Sequence, residues 1–547
     1  MALPNSSPQA ANEGERTLEI SPLSKELVIG LVGYAGSGCS TAARRLHLLL
    51  DSKGYDVKKI KLSDLICDQW PGEVIPKVVE GPSEGALRLS RAGKLQDLGD
   101  KLRSRYGNIA MASLAIRKIK ALRGLPDPGS EKIAFIVESI KHNEEVELLR
   151  RVYDHSFRLV AVYCERPKRE ARLIGGKISS AKYKGVAKDE VLRFMERDEK
   201  DGLNDAGQQV RDAFYLADYF IDNNSLSNDG ANLNGDIDRF LSLILGEGLV
   251  RPNINERAMY HAHAAALQSS CLSRQVGAVL VSGAGEVIST GTNDAPRFGG
   301  GVYSEDSHPD NRCHAWEWDS GKEKFKGCHN DRKKKDLRKS IAKWLSVSIG
   351  AKVAELAHPI PPQGVDTAKR ARSEAEVRIK NYLESSEEIA GSVPGVKDLI
   401  EYSRAIHAEM DAILSAARSG ISTAGATLYC TTYPCHGCAR HLVAAGVSRV
   451  LYVEPYVKSL ALELHSDAIM NELPSQSDKV PKMVIVPFTG VGPRMYEDFF
   501  AKRVKLKAPD GAYQAPSAGL PGYAVRLKEM VAVEDAAANL VPGVSND

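Results

Sequence analysis

Short apolar runs alternate with amphipathic stretches along the first 250 residues. The runs at 27–32, 133–137 and 159–163 have the length and the composition of buried strands. Helical patterns separate them, and this alternation predicts an α/β fold with a parallel sheet and helices on its faces. The stretch 223–234 is rich in Asn, Ser, Asp and Gly, and 246–255 separates two helical patterns. We place a domain boundary in the second of these stretches.

The pattern after this boundary predicts a second α/β domain. Strand-like runs at 427–430 and 449–453 lie beside helical patterns. The expected organisation is a flexible tail (1–24), a first domain (25–250), a second domain (251–507) and a C-terminal tail (508–547). The last part is rich in Gly, Pro and Ala, so we expect it to pack little.

Composition narrows the class of protein. The chain has 547 residues, of which 43% are hydrophobic and 26% are charged, which is the balance of an ordinary globular protein. The formal charge of +3 argues against a polycation that works on nucleic acid or on a membrane surface. Nine cysteines favour reduced thiols in a cytoplasmic protein. The polar start resembles no secretory signal, and no run approaches the roughly 18 apolar residues of a membrane span.

Two short motifs in the second domain have the residue types of a catalytic zinc site. His407 precedes Glu409 by two residues, and Cys435 precedes Cys438 by three. Catalytic zinc takes three protein ligands and leaves one position for water, so His407, Cys435 and Cys438 are the candidate ligands. Glu409 is the candidate catalytic acid and base, which would take a proton from water and deliver it to a leaving amine. This signature is known from zinc nucleobase deaminases.

A structural zinc site is the alternative interpretation. Such a site takes a fourth protein ligand, and His436 or His441 could supply it. Both residues lie at or just after the start of the helix that carries the cysteines, where neither is well placed. We therefore interpret the cluster as a catalytic centre.

With these residues the chain resembles the deoxycytidylate deaminase family over about 252–500. The stretch 271–279 resembles the first core strand of the family, and 291–296 resembles its Gly-Tyr-Asn…Pro loop. The resemblance implies that Asn293 binds the sugar of the substrate, although Asn293 alternatively is a plain turn residue after a strand. Thr292 stands where the family usually has an aromatic residue.

The resemblance implies hydrolytic deamination of a deoxycytidine nucleotide. Water attacks C4 of the cytosine ring, ammonia leaves and a uracil forms. A substrate phosphate needs cationic partners, for which Arg274, Arg297 and Lys458 are candidates, and an ordinary surface charge is the alternative for each.

A segment of 113 residues, 294–406, lies between the asparagine loop and the histidine, where the family usually has a short connection. We expect this insertion to regulate the enzyme or to select its substrate. Its Cys and His pairs are candidates for a second, structural zinc: Cys313, His314, Cys328 and His329. The basic run 332–343 is either a solvated helix face or a contact for phosphate or RNA.

A glycine-rich run follows the first strand and opens a helix, which is the position of a phosphate-binding loop. The candidate nucleotide-binding residues are Gly33, Gly36, Gly38, Ser40 and Thr41. Cys39 stands where such loops carry a lysine that reaches the β- and γ-phosphates. The backbone could still hold a nucleotide without it, and a scaffold that binds nothing is the alternative.

Further residues resemble nucleoside-monophosphate and dephospho-coenzyme-A kinases. The stretch 137–146 resembles a conserved strand end of these kinases, with Glu138 in place of Asp and Lys141 in place of Arg. The stretch 193–198 resembles their lid. Because three charged positions depart from the pattern, we favour a nucleotide-sensing domain, or pseudokinase, over an active kinase.

A kinase-like domain fused to such a deaminase resembles bacterial anti-phage dCTP/dCMP deaminases. The resemblance implies conversion of dCTP or dCMP to dUTP or dUMP, regulation by ATP or another nucleotide, a homo-oligomer and restraint by a small RNA. The alternatives are a deaminase that edits nucleic acid and a non-catalytic nucleotide sensor. Aromatic residues make up only 6% of the chain, which disfavours the first of these.

Overall fold

The computed structural model divides the chain into two compact units, Met1–Val250 with Lys502–Asp547, and Arg251–Ala501. The predicted tail 1–24 lies outside the described residues. The structure describes residues 26–78, 84–123, 132–174, 188–201, 204–224, 231–357, 365–385, 402–456, 459–471, 481–502, 506–514 and 527–541.

The first unit contains a parallel sheet in the order β5-β4-β1-β3-β2. All six residues of β1 are buried, because an inner strand of such a sheet is covered on both faces. The three predicted strands are confirmed. The strands are β1 (Leu27–Val32), β2 (Asp56–Lys61), β3 (Ile133–Ile140), β4 (Phe157–Tyr163) and β5 (Tyr219–Asp222).

Helices connect these strands, as the alternating pattern predicts. They are α1 (Cys39–Ser52), α2 (Leu62–Gln69), α3 (Glu84–Tyr106), α4 (Ala110–Arg123), α5 (Asn143–Tyr153), α6 (Arg166–Ile174), α7 (Lys188–Glu199), α8 (Val210–Tyr215) and α9 (Ala231–Ile244). The turn between β1 and α1 depends on glycine. Gly38 has a φ of 95°, and a Cβ atom there would lie 2.1 Å from Nδ2 of Asn223.

The second unit contains a six-stranded sheet in the order β12-β13-β11-β10-β6-β7. Strands β10 to β13 are parallel, whereas β6 runs antiparallel to both β10 and β7. The strands are β6 (Gly277–Val281), β7 (Val287–Thr292), β8 (Glu317–Asp319), β9 (Lys324–Lys326), β10 (Thr427–Thr432), β11 (Arg449–Glu454), β12 (Ile469–Met470), β13 (Met483–Pro487) and β14 (Gly490–Val491).

The expected first core strand over 271–279 is wrong in its first six residues. Strand β6 begins only at Gly277, because the preceding residues form a turn held by side chains. Gln275 donates its Nε2 hydrogen to the carbonyl of Ser269, and Asn293 accepts the backbone N–H of Val276.

The helices of the second unit place the candidate catalytic residues. They are α10 (Ile254–Leu267), α11 (His329–Ala357), α12 (Val365–Ser385), α13 (Ala408–Arg418), α14 (His436–Ala444), α15 (Ala461–Leu464) and α16 (Tyr496–Phe500). Helix α13 packs directly on β7, since a Cβ atom on Gly291 would lie 2.1 Å from the carbonyl oxygen of Ala408. Within the insertion, β8 and β9 form a hairpin, and α11 packs against α12.

The prediction of a loosely packed C-terminal tail is wrong for 527–541. A last helix, α17 (Leu527–Ala538), packs against α4 and α5 of the first unit. Its residue Glu534 is fully buried and accepts hydrogen bonds from Arg123 and Tyr153. The amphipathic order of residues within the helix determines this packing, rather than the average composition of the segment.

Among the described residues, none of the helices combines the length and the apolar character needed to cross a membrane.

Candidate active site

Two helix starts bring the three candidate metal ligands together. His407 is the residue before α13, and Cys435 is the residue before α14. Strand β10 leads towards Cys435, and its neighbour β6 leads away from the turn that the side chain of Asn293 supports. Cys438 lies in the first turn of α14 and donates its backbone N–H to Sγ of Cys435, 3.4 Å away. The positive ends of both helices favour negative ligands at this point.

The geometry of this cluster fits a zinc ion. Nδ1 of His407 lies 3.4 Å from Sγ of Cys435 and 3.4 Å from Sγ of Cys438. Tetrahedral zinc, with Zn–S bonds of about 2.3 Å and Zn–N bonds of about 2.05 Å, separates such atoms by about 3.5 Å. Within the described part of the chain, these three residues form the one group of potential ligands with all donor atoms within 4.8 Å.

The charges within the cluster are shared between its members. Hydrogen bonds from Cys438 and His407 lower the pKa of Cys435 to about 4, and the hydrogen bond with Cys435 raises the pKa of His407 to about 9. The thiolate of Cys435 raises the pKa of Cys438, so one proton remains there. A divalent cation would replace these protons, because cysteine binds a metal ion as the thiolate.

Glu409 lies in the first turn of α13 and is 4% exposed. Burial raises the pKa of its carboxyl group to about 7. A carboxyl group with this pKa can take up and return a proton near neutral pH, as a general acid and base must. The role of Glu409 as catalytic acid and base stays a prediction from the sequence.

A cavity of about 200 Å³ opens beside the cluster. Its walls come from the turn before β6, from the end of β10, from the insertion and from the segment that precedes α13. The lining residues include Cys271, Arg274, Asn293, Cys313, Cys328, His329, Asn330, Arg404, His407, Glu409, Tyr433, Cys435 and Tyr456. The cavity thus reaches from the candidate metal site to the inserted segment.

Asn293 lines this cavity, but it also supports the turn around it. Its Oδ1 accepts the backbone N–H of Val276 at 2.7 Å, and its Nδ2 donates to the carbonyl of Arg274 at 2.7 Å. An asparagine amide has one further donor hydrogen and one further lone pair, which leaves capacity for a ligand. The predicted contact with a sugar remains a prediction.

The structure separates the three candidate phosphate contacts. Arg274 lines the cavity and forms an ion pair with Glu454. Arg297 is exposed and donates instead to the carbonyl of Gly300. Lys458 lies outside the described residues.

The sequence analysis did not identify Arg404, which lines the cavity three residues before His407. Its nearness to the histidine in the sequence was the signal that could have identified it.

The four candidate ligands for a second zinc do not form one cluster in the structure. Cys313, Cys328 and His329 line the cavity, whereas His314 lies outside its lining and approaches Asp310 at 3.8 Å. Burial raises the pKa of Cys313. Only the cysteine of the first pair lines the cavity, whereas both residues of the second pair do.

The glycine-rich loop of the first unit is held by polar contacts. Ser40 donates its hydroxyl hydrogen to Glu138 at 2.9 Å, and the backbone N–H of Ala35 donates to Asp198 at 2.7 Å. Lys141 donates to the carbonyl of Gly33 and forms a 2.7 Å ion pair with Asp198. Gly36 has a φ of 81°, Gly38 caps α1, and the exposed Thr41 gives its N–H to the Gly38 carbonyl.

Burial raises the pKa of the Cys39 thiol, which lies beside Ser37. The residue in the usual lysine position is therefore a neutral, buried group. The nearest ammonium group in this set of contacts belongs to Lys141, and it is already paired with Asp198.

Residues 319–454 match the family model of the cytidine and deoxycytidylate deaminase zinc-binding region. Similar proteins include the deoxycytidylate deaminase of Enterobacteria phage T2 (48% identical over 54 residues) and ComE operon protein 2 of Bacillus subtilis (47% over 53 residues). Each alignment covers 10% of this chain, and they cover 29% and 28% of the relatives. The chain thus matches less than a third of the length of either relative.

Two solved structures are also similar to parts of the chain. The dCMP deaminase of cyanophage S-TIM5, in complex with dCMP and dUMP, is 17% identical and aligns over 43% of this chain and 98% of its own, with a TM-score of 0.21. Shikimate kinase from Bacteroides thetaiotaomicron is 13% identical and aligns over 40% and 97%, with a TM-score of 0.24.

The match over 319–454 includes the histidine, the glutamate and both cysteines of the cluster. It supports a deoxycytidylate deaminase domain in the second unit, with zinc as its metal.

Proposed function

We propose that the protein catalyses the zinc-dependent hydrolytic deamination of deoxycytidine nucleotides. The substrates are dCMP, dCTP or both, and the products are dUMP or dUTP and ammonia. The observation that carries this proposal is a three-ligand cluster of suitable dimensions beside a buried glutamate, at the wall of a cavity. The family match over 319–454 supports the same chemistry.

The residues of this chain have separate tasks in the reaction. His407, Cys435 and Cys438 would hold zinc, which activates water for attack on C4 of cytosine when it is bound. Glu409 accepts a proton from the attacking water at its carboxylate and later delivers a proton to the leaving amine. Glu409 is 4% exposed and lines the cavity, so its carboxyl group exchanges protons with the molecules that the cavity holds.

Glu409→Gln tests this proposal because it keeps the shape of the side chain and removes its proton transfer. We expect kcat to fall at least about 100-fold with dCMP and dCTP, measured as released ammonia. Metal content measured by mass spectrometry should remain that of the natural protein. Glu286→Gln is the matched control, since Glu286 is an exposed glutamate of the same unit. Undiminished ammonia release from Glu409→Gln would refute the proposed role.

The same assay separates the alternatives. Single-stranded DNA and RNA, tested beside free nucleotides, report on an enzyme that edits nucleic acid. A protein that binds metal and nucleotide without releasing ammonia would be a non-catalytic sensor. We further propose that the activity depletes deoxycytidine nucleotides during phage infection. Plaque counts on cells with the natural protein and with Glu409→Gln test this role.

We also propose that the first unit binds a nucleotide at its glycine-rich loop and regulates the deaminase. The loop follows an inner strand of a parallel sheet, where such folds bind phosphates. The neutral Cys39 and the paired Lys141 argue against phosphoryl transfer by this unit. Deamination measured with and without ATP, GTP and dTTP tests regulation, and an unchanged rate with all three contradicts it.

A further inference from the structure

The cavity in the second unit is lined by two groups of residues. One group, which includes His407, Cys435 and Glu409, belongs to the centre proposed for the cytosine ring. The other group comes from the insertion and includes residues 403–405. Arg404 contributes a cationic side chain to this second group, and the proposed function leaves it without a task.

Arg404 is held in place by contacts on one side. Its guanidinium group lies over the ring of Trp316, with 3.9 Å between Cζ and the ring centroid, and Nη2 donates to the carbonyl of Asn311 at 3.1 Å. Arg404 and both of these partners belong to the insertion. Stacking on an aromatic ring fixes the plane of a guanidinium group and leaves its remaining N–H groups free to bind in that plane.

The other side of Arg404 has no partner. Its Nη1 atom is buried and makes no hydrogen bond, and no carboxylate in the described part of the chain pairs with this arginine. A buried cationic donor without an acceptor is costly, so such a group points to an anionic ligand. Phosphate suits it, because guanidinium groups bind phosphate oxygens through two parallel hydrogen bonds.

Arg404 also lies at a suitable distance from the reaction centre. Three peptide units separate it from His407, which limits the distance between their α-carbons to about 11 Å. The backbone N–H of Ile406 donates to the carbonyl of Asp294 at 2.9 Å and anchors this short segment beside the asparagine turn. This segment therefore carries a metal ligand and Arg404 along the wall of one cavity.

Arg274 is the other arginine that lines the cavity, and its environment differs. Its side chain is 44% exposed, and Glu454 neutralises it. A phosphate at Arg274 would have to displace this carboxylate. The unpaired donor of Arg404 therefore makes it the stronger anion site.

We propose that Arg404 binds a phosphate group of the deoxycytidine nucleotide, and that the insertion orients it through Trp316. The inference rests on the proposed function. The contact between Arg404 and the phosphate would make the enzyme selective for nucleotides over the nucleoside. It also gives the insertion a task in substrate selection.

Arg404→Gln and Arg404→Lys test the proposal in the full chain. We expect Arg404→Gln to lower kcat/KM for dCMP and dCTP about 10- to 100-fold, mainly by raising KM. The value of kcat/KM for deoxycytidine, which has no phosphate, should not change. Arg404→Lys should recover part of the loss, because it keeps the charge without the planar fork. Arg257→Gln is the matched control, since Arg257 of the same unit donates to the carbonyl of Gly285 and does not line the cavity.

Binding of the product dUMP and of deoxyuridine, which lacks its phosphate, separates this inference from the proposed function when it is measured by calorimetry. The natural protein should bind dUMP more tightly than deoxyuridine, and Arg404→Gln should abolish the difference. An equal loss for both ligands would mean a structural role and would overturn the inference, as would an unchanged preference for dUMP. A natural protein that binds dUMP through Arg404 but releases no ammonia would refute the proposed function alone.

Discussion

The carboxylate of Asp198 binds both the glycine-rich loop of the first unit and the lysine beside it. Asp198 accepts the backbone N–H of Ala35, so one of the loop donors that could meet a phosphate is already used. The same carboxylate pairs with Lys141 at 2.7 Å and neutralises it. An anionic ligand at this loop must therefore compete with the negative charge of Asp198. The ammonium group of Lys141, which could bind the ligand, is already paired with the same carboxylate.

Asp198→Asn should strengthen the binding of ATP by the first unit. The change removes a negative charge close to the loop and frees the ammonium group of Lys141 for the ligand. Two charges a few Å apart interact by more than 1.4 kcal/mol at an effective dielectric constant near 20, so we expect at least about tenfold tighter binding. Equilibrium binding of a fluorescent ATP analogue measures the change.

Asp189→Asn is the control for this experiment, because Asp189 is an exposed acid at the start of the same helix. It makes the same change in net charge and should leave affinity unchanged. Equal affinities for Asp198→Asn and the natural protein would show that the carboxylate does not compete with the ligand.

The residues that the sequence could predict are those whose chemical type is rare and whose spacing is short. His407, Glu409, Cys435 and Cys438 belong to this class, because two local motifs and two helix starts suffice to define them. Arg404 does not, since its role depends on Trp316, which is 88 positions away in the chain. Only the folded insertion brings the ring beneath the guanidinium group.

Among the elements, α17 makes buried contacts that the Gly-, Pro- and Ala-rich composition of the C-terminal segment did not predict. Arg123 donates to both Glu26 and Glu534, and Tyr153 donates to Glu534. Both carboxylates are fully buried, and burial raises the pKa of Glu26 and of the Tyr153 hydroxyl. Helix α17 thus supplies one of two acids for a buried arginine.

Glu534→Ala should destabilise the first unit by about 1–3 kcal/mol. The change leaves the Tyr153 hydroxyl buried without an acceptor and removes one of the two carboxylates around Arg123. Hydrogen exchange of amides in β1 and β3 measures the free energy of opening. Asp535→Ala is the neighbouring control, because Asp535 is about half exposed and pairs with the exposed Lys120. We expect a change of less than about 1 kcal/mol there, and similar effects of the two substitutions would contradict the assigned role of Glu534.

The strands and helices followed the sequence pattern where burial alone determines them. Strands β1, β3 and β4 are apolar runs covered on both faces, and such runs are visible in the sequence. The strand expected from 271 failed because side chains of Gln275 and Asn293 bind backbone groups and hold a turn. Such contacts depend on partners that a local pattern does not contain.

At the scale of the whole molecule, we expect the metal to stabilise one unit of the chain. Removal of zinc with a chelator leaves two thiols and an imidazole at the starts of α13 and α14 without their common ligand. Hydrogen exchange should accelerate in peptides over 402–418 and 430–444, and added zinc should restore protection. Unchanged exchange after verified metal loss would show that these helix starts do not depend on metal.

The return of the chain to its first unit has a consequence for synthesis. Helix α17 follows the whole of Arg251–Ala501, so the 282 residues 245–526 are translated between the end of α9 and the start of the helix that completes the first unit. At about 5–20 residues per second, this takes roughly 14–56 s. During that interval Arg123 has only Glu26 of its two acidic partners, and the surface of α4 that later packs against α17 is exposed. The nascent first unit is therefore a candidate client for chaperones until the ribosome has translated the last helix.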